Sequence, residues 1–385
     1  MFRDGLSDRG GVEHFDWALF IAAALVAVVG VVNLYSATSV YTQSRADLYV
    51  SQVYFLVAGG ALAVFVAAVD YRIIERYAWW LYGPALVSLA VVLALAKDIR
   101  GASRWINIGG FSFQPSEFMK LVLIIALGRY FQDAPRTEAP RQVKDLAAPA
   151  LITGAPVLLV LAQPDLGTAL ILSLIALSII ALLRVKWWSP GGALLALAAL
   201  VGAPLAWEYG MRDYQKTRLL SFIAPEADIR GVGYHAHNAR IAIGNGGLFG
   251  QGYMRGSQNQ FHFLPDQYTD FPFPVFAEDW GFVGSVFLIA LYAFLVLWAL
   301  KIASQAKDRF GAVVAVGVGA LVFWHAIFNL GMVTGLLPVV GVTLPLFSYG
   351  GSSVLTVLIG LGLLMNVSIR RPSLSAVRVG GSLLR

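Results

Sequence analysis

The chain of 385 residues contains no cysteine and little charge, with Asp, Glu, Lys and Arg making up 13% of it. The first absence excludes thiol nucleophiles, disulfides and cysteine-ligated metals. The second excludes an ordinary soluble domain, in which about a quarter of the residues are charged. No Walker loop, zinc-hydrolase motif or nucleophile elbow occurs. There is also no internal repeat, so sequence symmetry gives an inverted-repeat transporter no support. His235 and His237 form a His-x-His pair. Helical spacing would turn them about 200° apart, and no third ligand stands near them, so a histidine-held metal is not expected.

What the chain has instead is apolar sequence, 58% of its residues. Runs near 16–36, 50–70, 75–96, 116–131, 146–163, 166–184, 190–209, 275–300, 310–335 and 352–369 approach or exceed the roughly twenty residues needed to span a bilayer. The first is too long for a signal peptide and is followed by no small-residue cleavage site. Most of the 28 basic residues fall to one side when the N-terminus is placed inside; Arg72, Arg76, Arg129, Lys144, Lys301, Arg309 and Arg370 are among them. The positive-inside rule therefore predicts a multi-pass protein of the cytoplasmic membrane with both termini cytoplasmic. It also accounts for the net charge of +6 without nucleic acid. The expected fold is all-α, with ten transmembrane helices and a long extracytoplasmic loop, 210–274, between helices 7 and 8. Residues 1–15 and 371–385 are expected as cytoplasmic ends of a single domain, 16–370.

Four polar stretches interrupt the helices on the expected outer side: 101–120, 163–168, the long loop ending at Asp270, and 344–353. Four such patches on one face suggest one site. A carboxylate at a membrane mouth is costly to desolvate and points to function, although an Asp before a helix can also be a cap. Prolines at 272 and 274 disfavour helix in the residues before them, so the next helix is expected to start near Pro274, about one turn after Asp270. Glu117 and Lys120, three apart, share a helical face at the start of a span and can neutralise each other. Asp165 reads as a turn and cap or as a substrate contact, and Glu278 and Asp279 as acidic groups in a helix's first turn. His325 and Asn329, one turn apart in mid-span, read as hydrogen-bonding partners between helices.

These residues together resemble the SEDS family, the shape, elongation, division and sporulation proteins typified by RodA, FtsW and SpoVE. The motifs are Trp105 and Gly109 followed by Gln114-Pro115-Ser116-Glu117; Gln163-Pro164-Asp165-Leu166-Gly167; the glycine series Gly244, Gly246, Gly247, Gly250 and Gly252; Phe263-Leu264-Pro265 with Thr269-Asp270-Phe271; and Ser348-Tyr349-Gly350-Gly351-Ser352. The run from Gly331 to Pro338 is similar to RodA in particular. The chain departs from the family pattern at Asp266, where glutamate is common, at Asn238 to Arg240, and in the two prolines after Asp270.

The resemblance implies a ten-helix glycosyltransferase that polymerises lipid II into peptidoglycan and releases undecaprenyl pyrophosphate, in cell elongation and rod shape. Its partner would be a class B penicillin-binding protein, a transpeptidase. Asp270 matches the family's essential aspartate, as general base or as metal ligand, and Glu117 with Lys120 matches an important charged pair. The candidate substrate-binding residues are Arg104, Trp105, Gln114, Ser116, Asp165, Arg212, Lys216, Arg218, Tyr234, Arg240, Thr269, Ser348 and Ser352. A divalent cation, Mg2+ or Mn2+, is a candidate cofactor for the departing pyrophosphate; no organic cofactor is expected. The competing readings are a lipid II flippase and a non-catalytic scaffold for the transpeptidase.

Overall fold

The computed structural model describes residues 15–41, 47–95, 105–108, 111–135, 142–181, 216, 232–261, 263–264 and 266–371. Helix α1 spans Trp17–Thr38, with the Asp16 side chain capping it at the Leu19 amide. Helix α2 follows at Leu48–Ala68. A short helix, α3 (Tyr71–Arg76), ends at Tyr77, and the expected third span, 75–96, is met by α4, Ala78–Leu95. A two-stranded antiparallel ribbon comes next, β1 (Ile106–Ile108) on β2 (Phe111–Phe113), with Asn107 opposite Ser112. It is the one departure from an all-helical chain among the described residues.

Helix α5 covers Pro115–Asp133, and a 3-10 turn, Val143–Leu146, leads into α6, Ala147–Ala162. Helices α7 (Leu166–Ala181), α8 (Val232–Asn245) and α9 (Ser257–Gln260) precede three long ones: α10 (Pro272–Ser304), α11 (Arg309–Thr334) and α12 (Gly351–Ile369). The expected span 190–209 lies outside the described residues. Among the described residues six helical segments are long and apolar enough to cross a membrane: α1, α2, Val143–Ala162, α10, α11 and α12. Two shorter apolar helices, Ala78–Ala94 and Leu166–Ala181, accompany them.

The interior belongs to α11 and α12, each with 78% of its most apolar stretch buried, against 11% for α2. Helix α5 is also internal despite carrying Glu117, Lys120 and Arg129, because its apolar residues Met119, Leu123, Ile124 and Leu127 are fully enclosed.

Helix α10 begins at Pro272, two residues before the expected start at Pro274, because a proline in the first turn needs no amide partner. Phe271 is its N-cap residue. The helix is broken at Gly281, whose φ of 68° and ψ of −163° fit only glycine comfortably. Glu278 and Asp279 therefore close a half-helix and do not open a span. A break of this kind frees backbone groups that hydrocarbon cannot satisfy. Here the turn at 247–252 satisfies them. Gln251 and Gly252 donate to the carbonyls of Glu278 and Asp279, and Phe282 and Val283 donate back to Gly247 and Leu248. The contact is so close that a Cβ at Gly281 would run into the Gly250 amide nitrogen.

The end of α1 is tied to the loop residues 253–267 by side chains. Tyr253, Asn259 and Gln267 donate to the carbonyls of Val32, Ser36 and Ala37 at the end of α1. The buried Glu278 and Asp279 carboxylates accept from Ser257, the Gln258 amide, Ser36 and the Met254 amide. These bonds explain how acidic groups are tolerated where a first-turn role was expected.

Replacement of Gly281 by alanine is expected to destabilise the detergent-solubilised chain by about 2 kcal/mol or more, from backbone strain and overlap. Gly60→Ala, where an added Cβ meets nothing within 4 Å, is expected to stay within about 1 kcal/mol of wild type. Thermal unfolding midpoints of the two variants check the contrast.

Candidate functional site

A cavity of about 630 Å3 opens where the four polar stretches meet. Its lining includes Trp105, Gln114, Glu117 and Lys120 from the first stretch, Asp165 and Thr168 from the second, Asp266, Thr269 and Asp270 from the third, and Tyr349 to Ser353 from the fourth. Helices α5, α7, α10 and α12 all begin beside it, so their positive dipole ends converge on one space.

Asp270 closes a tight turn in which the Asp266 carbonyl receives the amides of Thr269, Asp270 and Phe271. Asp266 itself has φ of 46°, a left-handed conformation that Asp tolerates better than most residues. Asp270 is half-buried and does not cap α10, whose N-cap is Phe271 with no side-chain bond. Its carboxylate faces Gly341, where a Cβ would stand 3.4 Å from Oδ2. Gly341 has φ of 71°, so the close approach and the left-handed turn coincide at one glycine.

The lining also carries charge in a buried row. Lys120, 1% exposed, donates to Glu117 Oε1 at 2.8 Å, and its Nζ lies 2.9 Å from His325 Nε2. His325 Nδ1 lies 3.0 Å from the Thr343 carbonyl. A carbonyl can only accept, so Nδ1 carries the proton and Nε2 of the neutral ring accepts from the ammonium. Glu117 Oε2 is buried and has no partner among the described residues. One face of the pair is thus left to a donor entering the cavity.

Asp165 is a cap, as one of its two expected roles required. Its carboxylate accepts from the Thr168 amide at 3.2 Å and hydroxyl at 2.9 Å, and from Gln114 Nε2 at 3.3 Å. Because it also lines the cavity, capping and substrate contact are compatible. Ser352 bridges the ribbon to α12, accepting from the Gln114 amide and donating to the Ser112 carbonyl. Aromatic edges come from Phe55, Trp105, Tyr268 and Tyr349, the last two in edge-to-face contact at 6.4 Å.

Several sequence candidates fall elsewhere. Ser116 is buried against Gln114, and Ser348 spends its hydroxyl on the Leu344 amide; neither lines the cavity. Tyr234 and Arg240 are exposed on α8, outside the lining, as is Lys216. Arg104, Arg212 and Arg218 lie outside the described residues. Conversely, His325 and Asn329 do bridge elements, but they also reach the site, which their mid-helix positions did not reveal. Asn329 donates to the Asp270 carbonyl at 3.0 Å and to the Val342 carbonyl at 2.7 Å.

Among the described residues no three His, Asp or Glu side chains come together as a metal cage. Asp270 offers one carboxylate donor, while Glu117 Oε1 is taken by Lys120. Such a set fits a hard cation that shares its ligands with a substrate pyrophosphate, as magnesium commonly does.

Comparison with known proteins follows this geometry. Residues 16–372 match the family described as cell cycle protein, FtsW/RodA/SpoVE. The chain is 38% identical over 372 residues to the peptidoglycan glycosyltransferase MrdB of Escherichia coli K12, covering 96% of this chain and 99% of that protein. It superposes with a TM-score of 0.78 on a chain from a peptidoglycan synthase complex described for its structural coordination of polymerization and crosslinking, at 33% identity and covering 93% and 98% of the two chains. The rod shape determining protein RodA of Thermus thermophilus matches with a TM-score of 0.68, at 31% identity and 93% and 98% coverage.

Lys120→Met alone is expected to cost about 3 kcal/mol of stability, since it strands the buried Glu117 carboxylate. Adding Glu117→Gln to it should recover part of the unfolding midpoint. Equal midpoints for the single and double variants would contradict a paired buried charge.

Proposed function

The chain belongs to the FtsW/RodA/SpoVE family of cell cycle proteins, and from that premise we propose that it is a peptidoglycan glycosyltransferase that polymerises lipid II at the outer face of the cytoplasmic membrane. The observation that carries this reading is the cavity, whose lining of four polar stretches brings together one half-buried carboxylate, Asp270, and the buried Glu117–Lys120 pair.

Chain extension asks for a base at the attacking sugar hydroxyl and a positive environment at the departing pyrophosphate. Asp270 takes the proton from the acceptor's 4-hydroxyl, whose oxygen then forms the new bond at the donor's anomeric carbon. The carbon–oxygen bond to pyrophosphate breaks, and undecaprenyl pyrophosphate leaves. A base within hydrogen-bond reach contributes about 10²–10⁴-fold. Lys120 and the converging helix N-termini favour the negative leaving group. A divalent cation, when bound, would neutralise pyrophosphate charge; Asp270 would hold it in the alternative in which this carboxylate is a metal ligand and not the base. Glu117 Oε2 is placed to accept from a sugar hydroxyl or amide. Trp105, Gln114, Asp165, Thr269 and Ser352 line the path of the sugars.

The same reading includes ten spans, with the seventh at 190–209, an outward loop at 210–274 and both termini cytoplasmic. The +6 charge and its skew towards one side support this orientation. A class B penicillin-binding protein is the proposed partner, and the likeness to a chain of a synthase complex supports it. Elongation and rod shape are the proposed setting, supported by the likeness to MrdB and RodA.

Purified Asp270→Asn is expected to polymerise lipid II at least ~100-fold more slowly than wild type while keeping its unfolding midpoint. The assay is run with the transpeptidase present, with and without Mg2+ or Mn2+. Wild-type polymerisation by this variant would overturn the role of Asp270. Vesicle transport of labelled lipid II that survives the substitution would favour the flippase.

A further inference from the structure

Helix α11 touches two lining residues of the cavity, Lys120 and Asp270, with two side chains one turn apart. His325 and Asn329 stand at i and i+4, so they share a face of the helix, and they are 2% and 0% exposed. From that face His325 grips the Thr343 carbonyl and Lys120, while Asn329 grips the Val342 carbonyl and the Asp270 carbonyl. Two consecutive carbonyls of one loop are therefore pinned to one helix face. The residue before them, Gly341, is the one against which the Asp270 carboxylate rests.

We propose that His325 and Asn329 are positioning residues for the glycosyl transfer, fixing Lys120 and Asp270 at a set separation in the cavity lining. The inference rests on the polymerase reading of the same site. Three features carry it. The helix that supplies both side chains is among the most enclosed, so its face is a rigid reference. Each side chain spans two partners, one on the 341–343 loop and one on the machinery itself. And Lys120 has a flexible four-carbon stem, which Glu117 alone, on the same helix, cannot fix relative to α11.

A base and an anion stabiliser act on different atoms of the same transition state, so their separation matters more than either position. A displacement of about 1 Å can cost about 100-fold in rate. If the pair served only to glue helices together, stability would fall without any particular effect on turnover.

The test uses the full chain, with isosteric replacements that split the two functions of the imidazole. His325→Asn keeps a donor where Nδ1–H meets Thr343 and removes the acceptor for Lys120. His325→Gln keeps an acceptor near Nε2. His325→Asn is expected to lower kcat for lipid II polymerisation about tenfold or more, with KM moving less than about twofold, and His325→Gln to recover most of it. In a Lys120→Met background His325→Asn should add little, because the two residues act as a unit. Asn329→Leu, which keeps the branched skeleton and cannot donate, should show the same fall in kcat at steady KM. Unfolding midpoints measured on every variant separate lost positioning from lost folding. If Asp270→Asn abolishes polymerisation while His325→Asn leaves kcat unchanged, the positioning proposal is overturned and the polymerase reading stands. Losses from His325→Asn and Lys120→Met that multiply would overturn it as well.

Discussion

Every backbone amide and carbonyl inside hydrocarbon must find a partner within the protein, and the break in α10 at Gly281 is where that constraint is most demanding. The freed groups on both sides of the break are met by the 247–252 turn, through four backbone hydrogen bonds. Those bonds require the two backbones to touch, which requires glycine at Gly250 and Gly281. The glycine series in the long loop is therefore the complement of a broken helix. Once the turn is docked, Glu278 and Asp279 hold the segment that follows, and that segment leads directly to the turn bearing Asp270. The position of the half-buried carboxylate at the cavity depends on a helix break some ten residues further along the chain.

The charged wall of the cavity obeys a related economy. An unpartnered Lys120 in the interior would be expensive, and its Nζ has two partners, the Glu117 carboxylate and the His325 imidazole. His325 can accept only because its other nitrogen is committed to Thr343. The protonation pattern of the row is thus set by a backbone carbonyl, a group that cannot titrate. Pairing Lys120 with Glu117 within one helix leaves the pair neutral towards the membrane, while the unsatisfied Glu117 oxygen gives it polarity towards the cavity.

Much of this was legible from the residues in order. Apolar runs located the helices because a span's length is fixed by the hydrocarbon thickness, and the described helices fall within a few residues of those runs. The clustering of four polar stretches was legible because polar residues in such a chain need a common solvent-facing place. The break at Gly281 was not, since a glycine within an apolar run looks like any membrane glycine until its docking partner is known. For the same reason Glu278 and Asp279 were read as the start of a helix when they end one. The reach of His325 and Asn329 into the site was hidden because their partners at 120, 270, 342 and 343 are remote or lie beyond a loop. By contrast, the cap at Asp165 was visible because its partner, Thr168, is three residues away.

The attachment of the loop to α1 has a mechanical side. Tyr253, Asn259 and Gln267 each hold a carbonyl at the end of that helix, bonds worth about 1 kcal/mol apiece. Separating the two pieces means giving up all three, so the loop is coupled to α1 as well as to α10. The tilt of a spanning helix answers to the thickness of the surrounding lipid. Bilayer thickness is in this way a boundary condition on the loop that carries Asp270, imposed through a helix that contributes no side chain to the cavity lining.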